Sequence, residues 1–214
     1  ETLLTGELSF KCNYAQFSDV GEYVISVENG YDELANYNIE YIDGTLSVNP
    51  KLITLEWENT SLTYNGEGQK PVASFIGLVN GDSCDTIVSG AQTNPGTYIA
   101  VVNGLTNPNY VLSSSVSTEY TIGPKSIEGA VVTLKDTLVY TGSELTQEVE
   151  SVILDGVTLI KDVDYIIKNN TGINVNTYTL TVEGKGNYKG SVTKDFEIIK
   201  QKVNLPTANT NLVY

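Results

Sequence analysis

Apolar and polar side chains alternate along most of this chain. Ile53, Leu55 and Trp57 fall on one side of an extended backbone, with Thr54, Glu56 and Glu58 on the other. Tyr98, Ala100 and Val102 oppose Ile99 and Val101, and Tyr178, Leu180 and Val182 oppose Thr179 and Thr181. A period of two predicts strands. The runs are short and are separated by Asn65-Gly66, Asn80-Gly81, Asn103-Gly104, Asp43-Gly44 and Asp155-Gly156. Such dipeptides accept the positive φ angles of tight turns, so each is predicted to be one.

Comparing the chain with itself reveals a repeat. A leucine-x-tyrosine strand end occurs as Leu62-Thr63-Tyr64, Leu138-Val139-Tyr140 and Leu212-Val213-Tyr214. A turn feeding an alternating strand occurs as Gly21-Glu22-Tyr23, Gly96-Thr97-Tyr98 and Asn176-Thr177-Tyr178. Asparagine tolerates a left-handed backbone, so Asn176 in place of glycine predicts a positive φ there. An Asn-Tyr pair occurs as Asn36-Tyr37, Asn109-Tyr110 and Asn187-Tyr188. Closing apolar strands follow at Leu46-Ser47-Val48, Tyr120-Thr121-Ile122 and Phe196-Glu197-Ile198. The period is about 75 residues, and nine of the 14 tyrosines occupy repeated positions. The expected organisation is an incomplete repeat over 1–50 lacking its first strands, complete repeats over 51–124 and 125–200, and the first strand of a further repeat over 201–214. On this reading the chain begins and ends inside repeats, and the segment 201–214 is the counterpart of what 1–50 lacks.

The stretch from Glu144 to Leu154 places Val149, Val152 and Ile153 at helical spacing. Its counterpart one repeat earlier contains Pro71 and reads as a strand, so both are predicted to be strands. A turn of helix before Asn36, Asn109 or Asn187 stays open. About seven short strands per repeat predict a small immunoglobulin-like β-sandwich, with Tyr23, Tyr98 and Tyr178 where such folds place a tyrosine corner. A β-grasp-like sheet is the alternative and requires one helix per repeat. The predicted fold class is all-β: tandem sandwich modules arranged as an elongated rod.

Composition narrows the chemistry. The 214 residues carry 26 acidic and 12 basic side chains, a net charge of −14. Every basic residue is a lysine, and histidine is absent. A chain this acidic repels phosphate backbones, which argues against nucleic-acid binding. Without histidine there is no Ser-His-Asp or Cys-His system and no imidazole metal ligand. Apolar runs such as Tyr98 to Val102 fall far short of the roughly 20 residues of a helical span, so membrane insertion is not expected. Cys12 and Cys84 form no CxxC pair and read as buried or half-buried thiols.

The repeat resembles the MBG-type and related bacterial immunoglobulin-like repeats of large cell-surface proteins. Residues carrying the resemblance are Leu62-Thr63-Tyr64-Asn65-Gly66, Gly77-Leu78-Val79-Asn80-Gly81-Asp82, Asn94-Pro95-Gly96-Thr97-Tyr98 and Asn107-Pro108-Asn109-Tyr110. In the next repeat, Asp164-Tyr165, Asn169-Asn170 and Gly184-Lys185-Gly186-Asn187-Tyr188 look like surface proteins of Gram-positive gut bacteria. The resemblance implies an extracellular stalk or spacer in an adhesin or a cell-wall-attached enzyme, anchored by a region outside this segment. It brings no shared catalytic residues.

The carboxylate pairs Asp162 with Asp164, Asp82 with Asp85, and Glu148 with Glu150 are the acid–base options. Two residues apart on a strand, the first and third pairs share a face. Asp19, Glu22, Asp43, Asp82 and Asp85 sit in or beside turns and are the candidates for structural calcium, but they are scattered, form no DxDxDG loop, and such a site needs several converging oxygens. Lys51 and Lys125 recur, but at linkers, which argues against a lysine–asparagine isopeptide bond. Trp57 is the only tryptophan. With adjacent tyrosines it is the expected platform of the alternative function, a carbohydrate- or host-glycoprotein-binding adhesin module, although its phase with Ile53 and Leu55 favours the core. No residue is nominated as catalytic, cofactor-binding or metal-ligating, and no cofactor is expected. The expected function is a non-catalytic spacer whose partners are other domains of the same longer chain, with a host glycan or glycoprotein as partner in the alternative.

Overall fold

A computed structural model describes residues 6–31, 37–113 and 116–205. Asn36 of the first Asn-Tyr pair and residues 206–214 of the final segment lie outside the described residues. The described chain is all-β, and no helix occurs in it, as the alternation predicts. The helical turn left open before Asn109 and Asn187 is a single hydrogen-bonded turn in each case, Tyr110 N–H to Asn107 O at 3.3 Å and Tyr188 N–H to Lys185 O at 3.2 Å.

Residues 6–50 form β1 (Ser9–Cys12), β2 (Gly21–Asn29) and β3 (Gly44–Val48). Then come β4 (Lys51–Glu58), β5 (Ser61–Thr63), β6 (Val72–Ile76), β7 (Thr86–Ser89), β8 (Gly96–Leu105), β9 (Tyr110–Leu112) and β10 (Ser117–Gly123). From Lys125 the strands are shorter: β11 (Lys125–Ser126), β12 (Val131–Leu134), β13 (Leu138–Val139), β14 (Leu145–Thr146), β15 (Val149–Leu154) and β16 (Val157–Thr158). The last are β17 (Tyr165–Lys168), β18 (Thr171–Gly172), β19 (Asn176–Gly184), β20 (Tyr188–Lys189) and β21 (Ser191–Ile199).

The chain divides into two compact units, each described by itself. One comprises Glu1–Thr60, Lys70–Ala91 and Tyr98–Tyr120; the other comprises Ser61–Gln69, Gln92–Thr97 and Thr121–Tyr214.

In the first unit, β1, β2 and β3 form an antiparallel sheet with β2 in the middle. β4 pairs antiparallel with β6 and parallel with β9, and β8 lies between β7 and β10. The alternation of β4 works as expected: Ile53 and Leu55 are buried while Thr54 and Glu56 are exposed. Ile53, Cys84 and Tyr110 form a buried cluster, with Phe75, Leu78, Val79, Leu105 and Leu112 packed against it. Both cysteines are free, Cys84 within this cluster and Cys12 half-buried on β1. None of the buried apolar residues precedes Ile53 among the described residues.

In the second unit, β12–β15–β16 and β13–β21–β19–β17 are two sheets that share one core. Val132, Val152 and Leu154 come from the first sheet, and Tyr165, Leu180, Val182 and Phe196 from the second. Completely burying a side chain such as Leu180 contributes about 1.5–3 kcal/mol. The ladder between β19 and β21 runs from Asn176↔Ile198 to Glu183↔Ser191. Two parallel pairings join residues of the second unit. Ile122 at the end of β10 lies opposite Leu62 of β5, and Ile198 of β21 lies opposite Leu138 of β13. The leucine of the leucine-x-tyrosine motif is thus the residue that meets a closing strand.

Turns divide into three outcomes. Asp155-Gly156 has φ of 50° and 81° and closes the β15–β16 hairpin, as its sequence requires. Asn80-Gly81 is likewise a doubly positive turn, with φ of 56° and 71°. Asn103-Gly104 is not a turn. It lies inside β8, where Gly104 at φ 81° accompanies a register shift against β7, so the chain bulges and stays extended. Asn176 also differs from expectation. It opens β19 opposite Ile198 in the ladder and is not at positive φ, so an extended backbone, which asparagine tolerates, replaces the left-handed turn. Glu144 to Leu154 contains β14 and β15 and no helix.

Candidate functional site

Several of the repeated tyrosines serve the fold. Tyr23 O–H donates to Asp19 O at 2.7 Å, and Tyr178 O–H donates to Asn174 O at 2.9 Å. Each is the third residue of its strand and reaches back four residues, the geometry of a tyrosine corner. Tyr178 stacks on Phe196 with ring centroids 5.4 Å apart, and a side chain on Gly172 would strike its ring at 2.6 Å. In the second unit, Tyr64 and Tyr188 meet edge to face at 5.5 Å.

One recess within the first unit is a cleft of about 320 Å³. Four stretches build it. The loop between β1 and β2 contributes Tyr14, Gln16, Phe17, Ser18 and Val20. Val48, Asn49 and Lys51 come from the β3–β4 connection, Val79 and Asp82 follow β6, and Asn109 and Tyr110 open β9. Asn109 ties these stretches together. Its Oδ1 accepts Val20 N–H at 2.8 Å and its Nδ2 donates to Asp19 Oδ1 at 2.7 Å. Its carbonyl accepts Lys51 N–H at 2.8 Å. Lys51 Nζ donates to Gly77 O at 2.5 Å, which fixes the lysine that recurs at the linker.

Tyr110 O–H donates to Asp82 Oδ2 at 2.7 Å and accepts Val79 N–H at 3.2 Å. The Val79 amide favours the phenolate. The Asp82 hydrogen bond, burial and the carboxylate's charge outweigh it and hold the phenol above its ordinary range. Tyr110 therefore stays neutral and acts as a positioned donor.

Two aromatic side chains at the cleft are exposed, Phe17 at 50% and Tyr14 at 40%. Phe17 has φ of 68°, a left-handed backbone uncommon for a bulky side chain. The turn is held by Ala15 N–H to Ser18 Oγ at 3.1 Å and Ser18 N–H to Ala15 O at 3.0 Å. Sequence reasoning passed over Phe17 and Tyr14, because they lie outside both the alternation and the repeat. Only their position in a loop rich in polar residues pointed to them.

Trp57 is half-buried on β4 opposite Ala73. Asp162 and Asp164 are not strand neighbours. They lie in a turn before β17 in which Asp162 has φ of 68°, and Asp164 Oδ2 accepts Ile160 N–H at 2.8 Å, so this carboxylate holds the loop. Glu148 precedes β15 and pairs with Lys135 at 2.5 Å, whereas Glu150 lies on the strand. Hydrogen bonding to Lys135, and the lysine's charge, hold Glu148 below the usual carboxylate range. Asp82 is engaged by Tyr110 and Asp19 by Asn109. Among the described residues, no three acidic or cysteine side chains gather to hold a metal ion.

Neither the family models nor the curated proteins compared with this chain match it.

Proposed function

We propose that this chain is a non-catalytic spacer of a bacterial surface protein, built from tandem immunoglobulin-like sandwich modules of about 75 residues and holding another domain away from the cell wall. The observation that carries the proposal is the length of the connections. Only Asn49 and Pro50 separate β3 from β4, and only Pro124 separates β10 from β11. Connections this short leave almost no freedom between the elements they join. The Asn109 hydrogen bonds to Val20 and Asp19 add a second tie across the first connection. The net charge of −14 keeps neighbouring stalks apart in solution. Small-angle scattering of the monomer tests the proposal. An elongated particle is expected, and a compact globule overturns the spacer reading.

The cleft favours a second reading, a glycan-binding adhesin module. Exposed Phe17 and Tyr14 offer ring faces, with Gln16, Ser18 and Asn49 beside them for hydroxyl groups. A glycan array separates the readings: binding lost in Phe17→Ala and Tyr14→Ala, with folding intact, supports the adhesin. An array silent for the parent chain rejects it.

A further inference from the structure

The cleft beside Phe17 continues past Asn109. A second recess of about 570 Å³ adjoins it. The recess shares Val20, Asp82 and Asn109 with the cleft and adds Asp19. Its two ends differ in character. Tyr14 and Phe17, both exposed, line only the cleft, Asp19 lines only the recess, and Asp82 lines both. All of these residues belong to the first unit.

Neutral groups hold both carboxylates in place. Asn109 Nδ2 donates to Asp19 Oδ1 at 2.7 Å, and Tyr110 O–H donates to Asp82 Oδ2 at 2.7 Å. Among the described residues, no lysine forms an ion pair with either. Of the 12 lysines only Lys11, Lys51 and Lys70 fall in the first unit, against more than half of the 26 acidic residues. Lys51 lines the cleft, but its Nζ is engaged by Gly77 O, and Lys70 Nζ is engaged by Val88 O at 2.6 Å. The field over the cleft is therefore negative. It attracts cations and repels carboxylated or sulfated sugars.

We propose that the cleft and the recess beside it bind an oligosaccharide of protonated amino sugars. The apolar C–H face of one sugar ring stacks on Phe17 or Tyr14, and Gln16, Ser18 and Asn49 meet hydroxyl groups. Ammonium groups donate to the carboxylates of Asp19 and Asp82 in charge-assisted hydrogen bonds. An ammonium beside a ring face gains further from the negative face of the aromatic ring. An N-acetylated sugar offers the same ring face and hydroxyls without the charge, so it binds less tightly. This specificity rests on the glycan reading of the same cleft and adds to it the sign of the ligand's charge.

Isothermal titration calorimetry of the chain with a glucosamine trimer, and with its N-acetylated counterpart, tests the charge requirement. The glucosamine trimer should bind about tenfold or more tightly than the acetylated one. That advantage should shrink as salt rises from about 0.01 M to about 1 M, where the screening length falls from about 30 Å to about 3 Å. In Asp19→Asn/Asp82→Asn each asparagine keeps an acceptor oxygen for Asn109 or Tyr110. Circular dichroism should therefore be unchanged while the advantage disappears. If that variant unfolds, the salt dependence of the parent chain decides instead, and a flat dependence overturns the proposal. Trilysine supplies the charge without a sugar ring, so equal affinity for it overturns the proposal as attraction of any polycation. Equal affinity for the two trimers overturns the charge requirement and leaves the adhesin reading standing. Binding of neither trimer overturns the proposal, and the other glycans of the array then judge the adhesin reading by themselves.

Discussion

The phenol of Tyr178 closes a four-residue loop onto Asn174. It donates to the Asn174 carbonyl at 2.9 Å and accepts the Asn174 amide at 3.1 Å, so one hydroxyl satisfies both backbone groups of a single residue. Tyr178→Phe keeps the ring on Phe196 and removes only the oxygen. The expected loss is about 1 kcal/mol of stability. It is read as a lower urea midpoint at unchanged slope, and an unchanged midpoint would show that water replaces the hydroxyl at no cost.

Asn109 predicts a local effect. Its side chain is the partner of Val20 N–H, and Asn109→Ala leaves that amide without one. A part-buried donor left unpaired costs about 1–3 kcal/mol. Amide exchange should accelerate at Val20 and leave the β19–β21 ladder unaffected. Equal acceleration in both places would mean that the substitution acts on the whole chain.

At Phe17 the backbone conformation and the side chain make separable contributions. The left-handed φ of 68° costs a non-glycine residue roughly 1–2 kcal/mol, and glycine adopts it freely. Phe17→Gly should therefore raise the melting temperature, or leave it unchanged once unfolded-state entropy is counted. A fall of several degrees would show that the exposed ring packs against something essential.

Much of this arrangement is legible from the residues, and the failures share a cause. The alternation of Ile53 and Leu55 gives the inward face of β4 because a period of two follows directly from the pleat. The tyrosine corners are legible because Tyr23 and Tyr178 recur at the same place after a turn. Asn103-Gly104 is misread because a positive φ serves a bulge as well as a hairpin. Asp162 and Asp164 are misread because spacing defines a shared face only once the strand is known, and Asp164 is occupied by the Ile160 amide instead. The pairing of Asp82 with Tyr110 spans 28 residues and has no local signal at all. The cleft is invisible for the same reason, since four separate stretches converge on it.

Alkaline titration gives the pH prediction. Burial raises the phenols of Tyr165 and Tyr188, and the hydrogen bond to Asp82, with burial, raises that of Tyr110. A tyrosine whose pKa is higher in the folded chain than in the unfolded one gives its full stabilisation below the unfolded value, near 10. That stabilisation is lost as pH rises through the folded value. Ultraviolet titration should show these three phenols ionising above the ordinary tyrosine range, together with unfolding. Fully reversible ionisation of all the tyrosines around the ordinary value, with the fold intact, would contradict it.

The parallel pairing of Leu138 with Ile198 has a mechanical consequence. β13 lies early in its segment and β21 ends it, and the two run in the same direction. Tension applied through the entering and leaving ends of that segment pulls the two strands past each other along their length. The hydrogen bonds between them, including Tyr140 N–H to Ile199 O at 3.0 Å, then share the load at once instead of opening one after another. A hairpin pulled from its open end has no such protection. The leucine-x-tyrosine strand, only two paired residues long here, is therefore placed so that a pull along the segment loads its hydrogen bonds in shear.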